Sequence, residues 1–202
     1  MPTIAVIGSS RTQPDHPDYR EAQRLGGLLA EAGFTVASGG YGGLMEAVSK
    51  GARSVGGPVV GVTAPDVFPG RARANAYVTD EQPAGTLTER IHRLIHDSDA
   101  VIALPGSIGT LTELMLAWNL AFVAPFSERT PKPVIAVGAL WAEIVSSLAE
   151  CLETDGSLVT LVDNVDEAFS RIAERAKPAA TRQQPGMLND RANASGALRR
   201  EQ

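Results

Sequence analysis

The stretch VIALPGSIGTLTELM, Val101 to Met115, joins an apolar run to a glycine-containing break and then to an acid, Glu113. The break comprises Gly106, Ser107, Ile108, Gly109 and Thr110. It lies where a buried strand hands over to a helix. The first amides of a helix have no partner within it, and the helix dipole places partial positive charge there, so such a loop suits a phosphate. Thr110 and Glu113 also fit a capping box, in which the hydroxyl accepts from the third amide and the acid reaches back. The same GTLTE recurs at Gly85–Glu89. A strongly apolar strand is expected before the second copy and none before the first. Ligands of open α/β sheets bind at the carboxyl ends of strands. The second loop is therefore read as an anion site and the first as a helix start.

Two further strand ends are rich in small residues. SGGYGGLMEAV sets Gly39, Gly40, Gly42 and Gly43 around Tyr41, more glycine than a turn requires, which points to close backbone approach. GSSR adds Gly8, Ser9 and Arg11. The three ends converge on one crevice. Several chemistries are excluded. There is no G-x-x-x-x-G-K-[ST], and the first turn is not G-x-G-x-x-G, which excludes a P-loop enzyme and disfavours a dinucleotide dehydrogenase. Lys50, Lys132 and Lys177 are the only lysines, and none accompanies Glu113 in a glycine loop, so no pyridoxal Schiff base and no other cofactor is expected. His92 and His96 are spaced i, i+4 without an evident third ligand. They are read as helix-end histidines, and no metal is expected. Cys151 stands alone, which excludes an internal disulfide and suits a reducing compartment.

The elements that position these loops alternate. Apolar runs at Thr3–Gly8, Phe34–Gly40, Pro58–Thr63, Ala100–Gly106, Pro131–Gly138 and Leu158–Asp163 read as strands, with a short one in NAYVTD, Asn75–Asp80. Amphipathic segments between them read as helices. Ala64–Asn75, with Pro65, Pro69, Gly70, Arg71 and Arg73, reads as a loop. Solidly apolar strands between helices predict an α/β fold, a doubly wound parallel sheet covered on both faces. One domain over residues 1–176 is expected, followed by a polar, disordered tail over 177–202. TLTELMLAWNLAFVAPF is apolar around most of its circumference, which predicts a two-fold interface including Trp118 or Phe122; both Trp118 and Trp141 are read as core or interface.

Over 202 residues the net charge is −5 and hydrophobic content is 44%. That balance disfavours a nucleic-acid partner. No apolar run of about 18 residues is evident, so no membrane partner is expected. TIAVIG follows the first two residues without a basic segment, so no signal peptide and a cytoplasmic location are expected.

SGGYGGLMEAVSKGA followed by ALPGSIGTLTE resembles the Lonely Guy (LOG) family, whose signature P-G-G-x-G-T-x-x-E follows a G-G-G-x-x-G-L-M loop. The resemblance runs from about Thr3 to about Val162. It implies a Rossmann-like fold and a homodimer. It also implies a phosphoribohydrolase that releases free base and ribose 5-phosphate from AMP or a cytokinin-type nucleotide. Related members sense nucleotides, and one branch carries molybdenum cofactor. Glu113 takes the signature glutamate's place. The family's M-x-x-R-K falls on Leu87-Thr88-Glu89-Arg90-Ile91, which makes Arg90 catalytic or substrate-orienting; on its residues alone Arg90 reads as a solvated helix position pairing with Glu89. Leu87, Ile91, Ser107 and Glu46 depart from the pattern. N-glycosidic cleavage passes through an oxocarbenium-like ribose, which a carboxylate stabilises while remote phosphate contacts hold the sugar. Two classes follow: a nucleoside monophosphate hydrolase, and a binding module that uses the same crevice.

Overall fold

Each apolar run becomes a short strand, and each amphipathic segment folds back across the sheet as a helix. The computed structural model describes residues 1–71 and 73–176. In chain order these form β1 (Thr3–Ile7), α1 (Pro17–Glu31), β2 (Thr35–Ser38), α2 (Leu44–Ser54), β3 (Val59–Thr63), β4 (Asp80–Pro83) and α3 (Leu87–His96). They continue with β5 (Ala100–Ala103), α4 (Ile108–Val123), β6 (Val134–Val137), α5 (Ala139–Cys151), β7 (Val159–Val162) and α6 (Val165–Ala176). The expected tail beyond residue 176 lies outside the described residues.

The seven strands make one sheet in the order β4-β3-β2-β1-β5-β6-β7, and every pair is parallel. The chain winds from β1 toward β4 and then returns to β5 on β1's other side. That reversal is the switch point at which α/β sheets open a crevice. Central strands are buried on both faces, which is why they read as continuous apolar runs. One face packs Ile4, Val6, Val36 and Ile102 against α1, α2 and α6; Leu25, Leu29, Val48 and Ile172 fill that layer. The other packs Ile7, Ala37, Val101 and Ala136 against α3, α4 and α5 through Leu94, Leu114, Trp118 and Trp141. Both indoles satisfy their N–H on carbonyls, Trp118 on Asp155 and Trp141 on Leu104.

Three expectations change. NAYVTD is not a strand: Asn75 accepts from the amide of Tyr77 through its side chain, which curls the segment into a turn. The strand starts later, at Asp80, and pairs with β3. Consequently both GTLTE copies follow a strand, and β4 was invisible as one because its residues, DEQP, are polar and sit at the sheet edge. Finally, the helical stretch Ile108–Phe126 has a mean hydropathy of 1.3, long and apolar enough by composition to cross a membrane. Its inner face packs on the sheet through Leu114, Ala117 and Trp118.

Candidate active site

The loop after β5 starts α4 three residues earlier than a Thr110 cap requires. Ser107 is the N-cap, and its side chain makes no capping bond. Thr110 and Glu113 therefore lie inside the helix and are buried. The capping-box reading of this copy is wrong: at that depth Glu113 is too far along the helix to reach its free amides. Thr110 instead packs on Gly106, where a Cβ would come within 2.1 Å of its hydroxyl. Gly106 is thus required by a contact within the protein, while the space beside Gly109 is open. In the first copy the box is real. The Glu89 amide donates to the Thr86 hydroxyl at 3.1 Å, and the Gly85 amide donates to the Glu89 carboxylate at 2.9 Å.

Glu113 lies one turn beyond the first turn of α4, on the helix face that meets Arg90 of α3. It is 8% exposed. Its only charged neighbour among the described residues is Arg90, whose Nη1 lies 3.6 Å from Oε1. No donor among the described residues hydrogen-bonds the carboxylate. Burial pushes Glu113 up to about 7, against the opposite pull of Arg90.

Arg90 is not a solvated helix position. It is 7% exposed and crosses from α3 to the ends of two strands. Nε donates to the Val62 carbonyl at 2.8 Å and Nη2 to the Gly39 carbonyl at 3.1 Å. Glu89 pairs with Arg93 instead. A Cβ on Gly39 would stand 1.8 Å from Arg90 Nη2. Glycine there admits the guanidinium, so the close approach read from that cluster is made, at this position, by a side chain of the protein. Burial and the nearby Arg71 hold Arg90 below the ordinary arginine range, while Glu113 and Tyr41 oppose the shift. The other glycines shape the crevice. Gly40 and Gly43 adopt positive φ, and Gly43 lets the Leu44 amide donate to the Ser9 carbonyl at 2.8 Å. The Ser9 amide donates to the Pro105 carbonyl at 3.0 Å, which joins the loops after β1 and β5. Gly8 is wedged between Leu44 and Leu104, and Gly42 borders Glu46. Ser107 caps α4, and Ile108, Gly109 and Thr110 form its first turn.

Arg71, Phe68 and Asn75 escaped the sequence reading. They lie in the Ala64–Asn75 segment, whose prolines and glycine signalled only a loop. The loop is tied down. The Ala64 amide donates to the Tyr41 hydroxyl at 2.8 Å, and Asn75 Nδ2 donates to the carbonyls of Gly40 and Tyr41. Tyr41 and Phe68 meet edge to face with centroids 5.8 Å apart. The guanidinium carbons of Arg71 and Arg90 both lie 5.5 Å from the Tyr41 centroid. Glu46 belongs to the α1–α2 side. Burial, with the nearby Glu46 carboxylate adding to it, pushes Tyr19 up to about 12. His92 and His96 stack at 4.7 Å on the exposed side of α3, and Asp97 brings a third donor atom within 4.8 Å of theirs, a ligand the spacing did not reveal. Cys151 is exposed.

Comparison with known proteins agrees with this architecture. The SLOG cluster4 family profile matches residues 1–169. A Mycobacterium tuberculosis cytokinin riboside 5′-monophosphate phosphoribohydrolase is 30% identical over 181 residues, 85% of this chain and 93% of that one. An Arabidopsis thaliana protein of the same name, LOG7, is 35% identical over 158 residues, 76% of this chain and 64% of its own. The molybdenum cofactor binding protein of Rippkaea orientalis superposes with a TM-score of 0.70 at 26% identity, covering 87% of this chain and 98% of that one. With residues 1–169 matched and the mycobacterial relative spanned over nearly its full length, the chain belongs to the SLOG cluster4 family, a relative of the LOG phosphoribohydrolases.

Proposed function

We propose that the protein hydrolyses the N-glycosidic bond of a nucleoside 5′-monophosphate, releasing free base and ribose 5-phosphate. One observation carries the reading: the Glu113 carboxylate is 8% exposed, no donor among the described residues hydrogen-bonds it, and Arg90 lies 3.6 Å from it. No fully buried side-chain oxygen among the described residues lacks a hydrogen-bond partner, so the unpaired Glu113 oxygens are ones that still reach the surface. A carboxylate left open in this way is suited to a positive centre that a ligand brings. The names of the mycobacterial and plant relatives support the same chemistry.

In this reading the 5′-phosphate lies on the free amides of Ser107 to Thr110, with no bulk at Gly109. The phosphate contacts fix the ribose beside Glu113. As the C1′–N bond breaks, its electron pair leaves with the base, which takes up a proton, and positive charge spreads over C1′ and the ring oxygen. Glu113 stabilises that charge and orients the water that adds to C1′; the water's second proton is released. Arg90 is a positioning residue. Two of its N–H groups are committed to carbonyls, so its remaining face holds Glu113 rather than a phosphate.

The test is incubation of purified protein with nucleoside monophosphates and detection of free base. Glu113→Gln keeps shape and removes charge. Turnover is expected to fall by orders of magnitude, about a hundredfold or more, while AMP still raises the melting temperature. Adenosine, without phosphate, should raise it much less. Wild-type turnover by Glu113→Gln overturns the assignment. A second reading, a carrier or sensor on the same crevice, is favoured by the likeness to the Rippkaea cofactor-binding protein. It predicts ligand-induced stabilisation with no base released.

A further inference from the structure

Arg71 is exposed, and no carboxylate among the described residues pairs with it. Its guanidinium carbon lies 5.5 Å from the Tyr41 centroid and 5.7 Å from that of Phe68; Arg90 lies 5.5 and 5.9 Å from the same two rings. The two cations thus flank one aromatic pair, and the buried Glu113 carboxylate pairs with Arg90 beside them. Arg71 is also held in place. Its amide donates to the Phe68 carbonyl at 2.7 Å, and the Ala64 and Asn75 hydrogen bonds anchor both ends of its loop. Stacking on the aromatic pair occupies a face of the guanidinium plane and leaves N–H groups at its edge for a ligand.

The location of Arg71 indicates which part of a ligand it meets. The phosphate cradle lies at the end of β5. Glu113 and then Arg90 lead from it toward β2 and β3, where Arg90 ends on the Gly39 and Val62 carbonyls. Arg71, Tyr41 and Phe68 lie beyond. From β5 to β3 is three strand spacings in the sheet order, about 14 Å. A nucleotide laid along this line, with phosphate on α4 and ribose at Glu113, brings its base to Arg71. From there we infer that Arg71 is a specificity-determining residue, selecting a base that presents an oxo oxygen beside a ring-nitrogen acceptor, as 6-oxopurines do.

A guanidinium donates two parallel hydrogen bonds to that acceptor pair, whereas the amino group of adenine or an N6-substituted adenine points its own hydrogens at the donors. The inference rests on the nucleotide reading above. A pterin offers a similar oxo–nitrogen edge, so the ligand panel separates the two sources.

The experiment measures kcat/KM for GMP, IMP, AMP and an N6-substituted AMP. Thermal shift is followed in parallel with the same nucleotides and with neopterin monophosphate. The proteins are wild type, Arg71→Ala and Arg71→Lys. GMP and IMP should exceed AMP by about tenfold or more in the wild type. Arg71→Ala should erase the difference by lowering GMP and IMP far more than AMP. Arg71→Lys should restore it only in part, since lysine lacks the fork. Arg71 is exposed, so its replacement leaves the core intact. AMP turned over as well as GMP by the wild type sinks this inference and leaves the hydrolase reading standing, as does an equal loss for every base in Arg71→Ala. Binding of neopterin monophosphate with no response to GMP assigns the edge to a pterin, and no response to any member of the panel overturns both readings.

Discussion

Glu113 and Arg90 are buried together, and burial disfavours the charged form of each. The carboxylate has to be ionised to stabilise a ribose cation. With Glu113 pushed up to about 7 by burial, kcat/KM should rise with pH through about 7 along a single-ionisation limb. Rates from about pH 5 to about pH 9 check this, and a flat profile over that range contradicts it. The stability sign is separate. The folded value lies above the ordinary 4.5, so Glu113's favourable contribution is complete below 4.5 and is lost as pH rises through about 7. Gln stays neutral. The melting temperature of Glu113→Gln relative to wild type should therefore climb across that window, by the equivalent of at most about 3 kcal/mol. Gly39 belongs to the same scale. In Gly39→Ala the new Cβ meets Arg90 Nη2 at 1.8 Å and Met45 Sδ at 2.7 Å. Expelling a buried guanidinium strips two carbonyls of their donors. The expected loss is roughly 2–3 kcal/mol in a denaturant titration, together with activity.

At the scale of elements, two copies of GTLTE begin or enter two helices in different ways. In α3 the motif is the cap: Thr86 accepts from Glu89 and Glu89 accepts from Gly85. In α4 the helix has already started at Ile108, so Thr110 and Glu113 lie inside it. Thr86→Ala should cost about 1 kcal/mol and leave ligand affinity unchanged. Ser107→Ala should change stability by less than about 0.5 kcal/mol, because the Ser107 side chain makes no capping bond. Urea midpoints for the two variants decide the matter. A larger loss for Ser107→Ala would show that α4 is capped after all.

For the whole molecule, α4 is also the element with an unpartnered side. Ile108 is 75% and Phe126 81% exposed, with Phe122 and Val123 partly exposed between them. Phe122 and Phe126 meet with ring centroids 6.2 Å apart. Exposed apolar side chains along and just beyond the helix that holds the site suit a two-fold contact, in which the same face meets itself. Light scattering at micromolar concentration should give twice the 21.2 kDa chain mass, and Phe126→Asp should shift the protein toward the monomer. A wild-type mass of 21.2 kDa contradicts this assembly.

The alternation of apolar runs and amphipathic segments was sufficient to infer a doubly wound parallel sheet, because a strand buried on both faces has to be apolar along its length. It was also sufficient to locate the glycine loops and to single out Glu113, since these follow strand ends that can be read locally. β4 was missed where that logic fails, at a polar edge strand. What Glu113 does was undecidable locally: Thr86 and Thr110 have identical neighbours, and only the capping of α4 at Ser107, three residues upstream of Thr110, turns the second acid inward. Arg90 reads as a surface residue of α3 until packing places it against carbonyls just after β2 and in β3, 51 and 28 residues away in sequence. Arg71 reads as loop until Tyr41 and Phe68 are assembled beneath it. A periodicity reports which way a side chain faces along its own element. Which groups meet at the switch point is set by strand order and by the depth at which each helix begins, and those exist only in the folded chain.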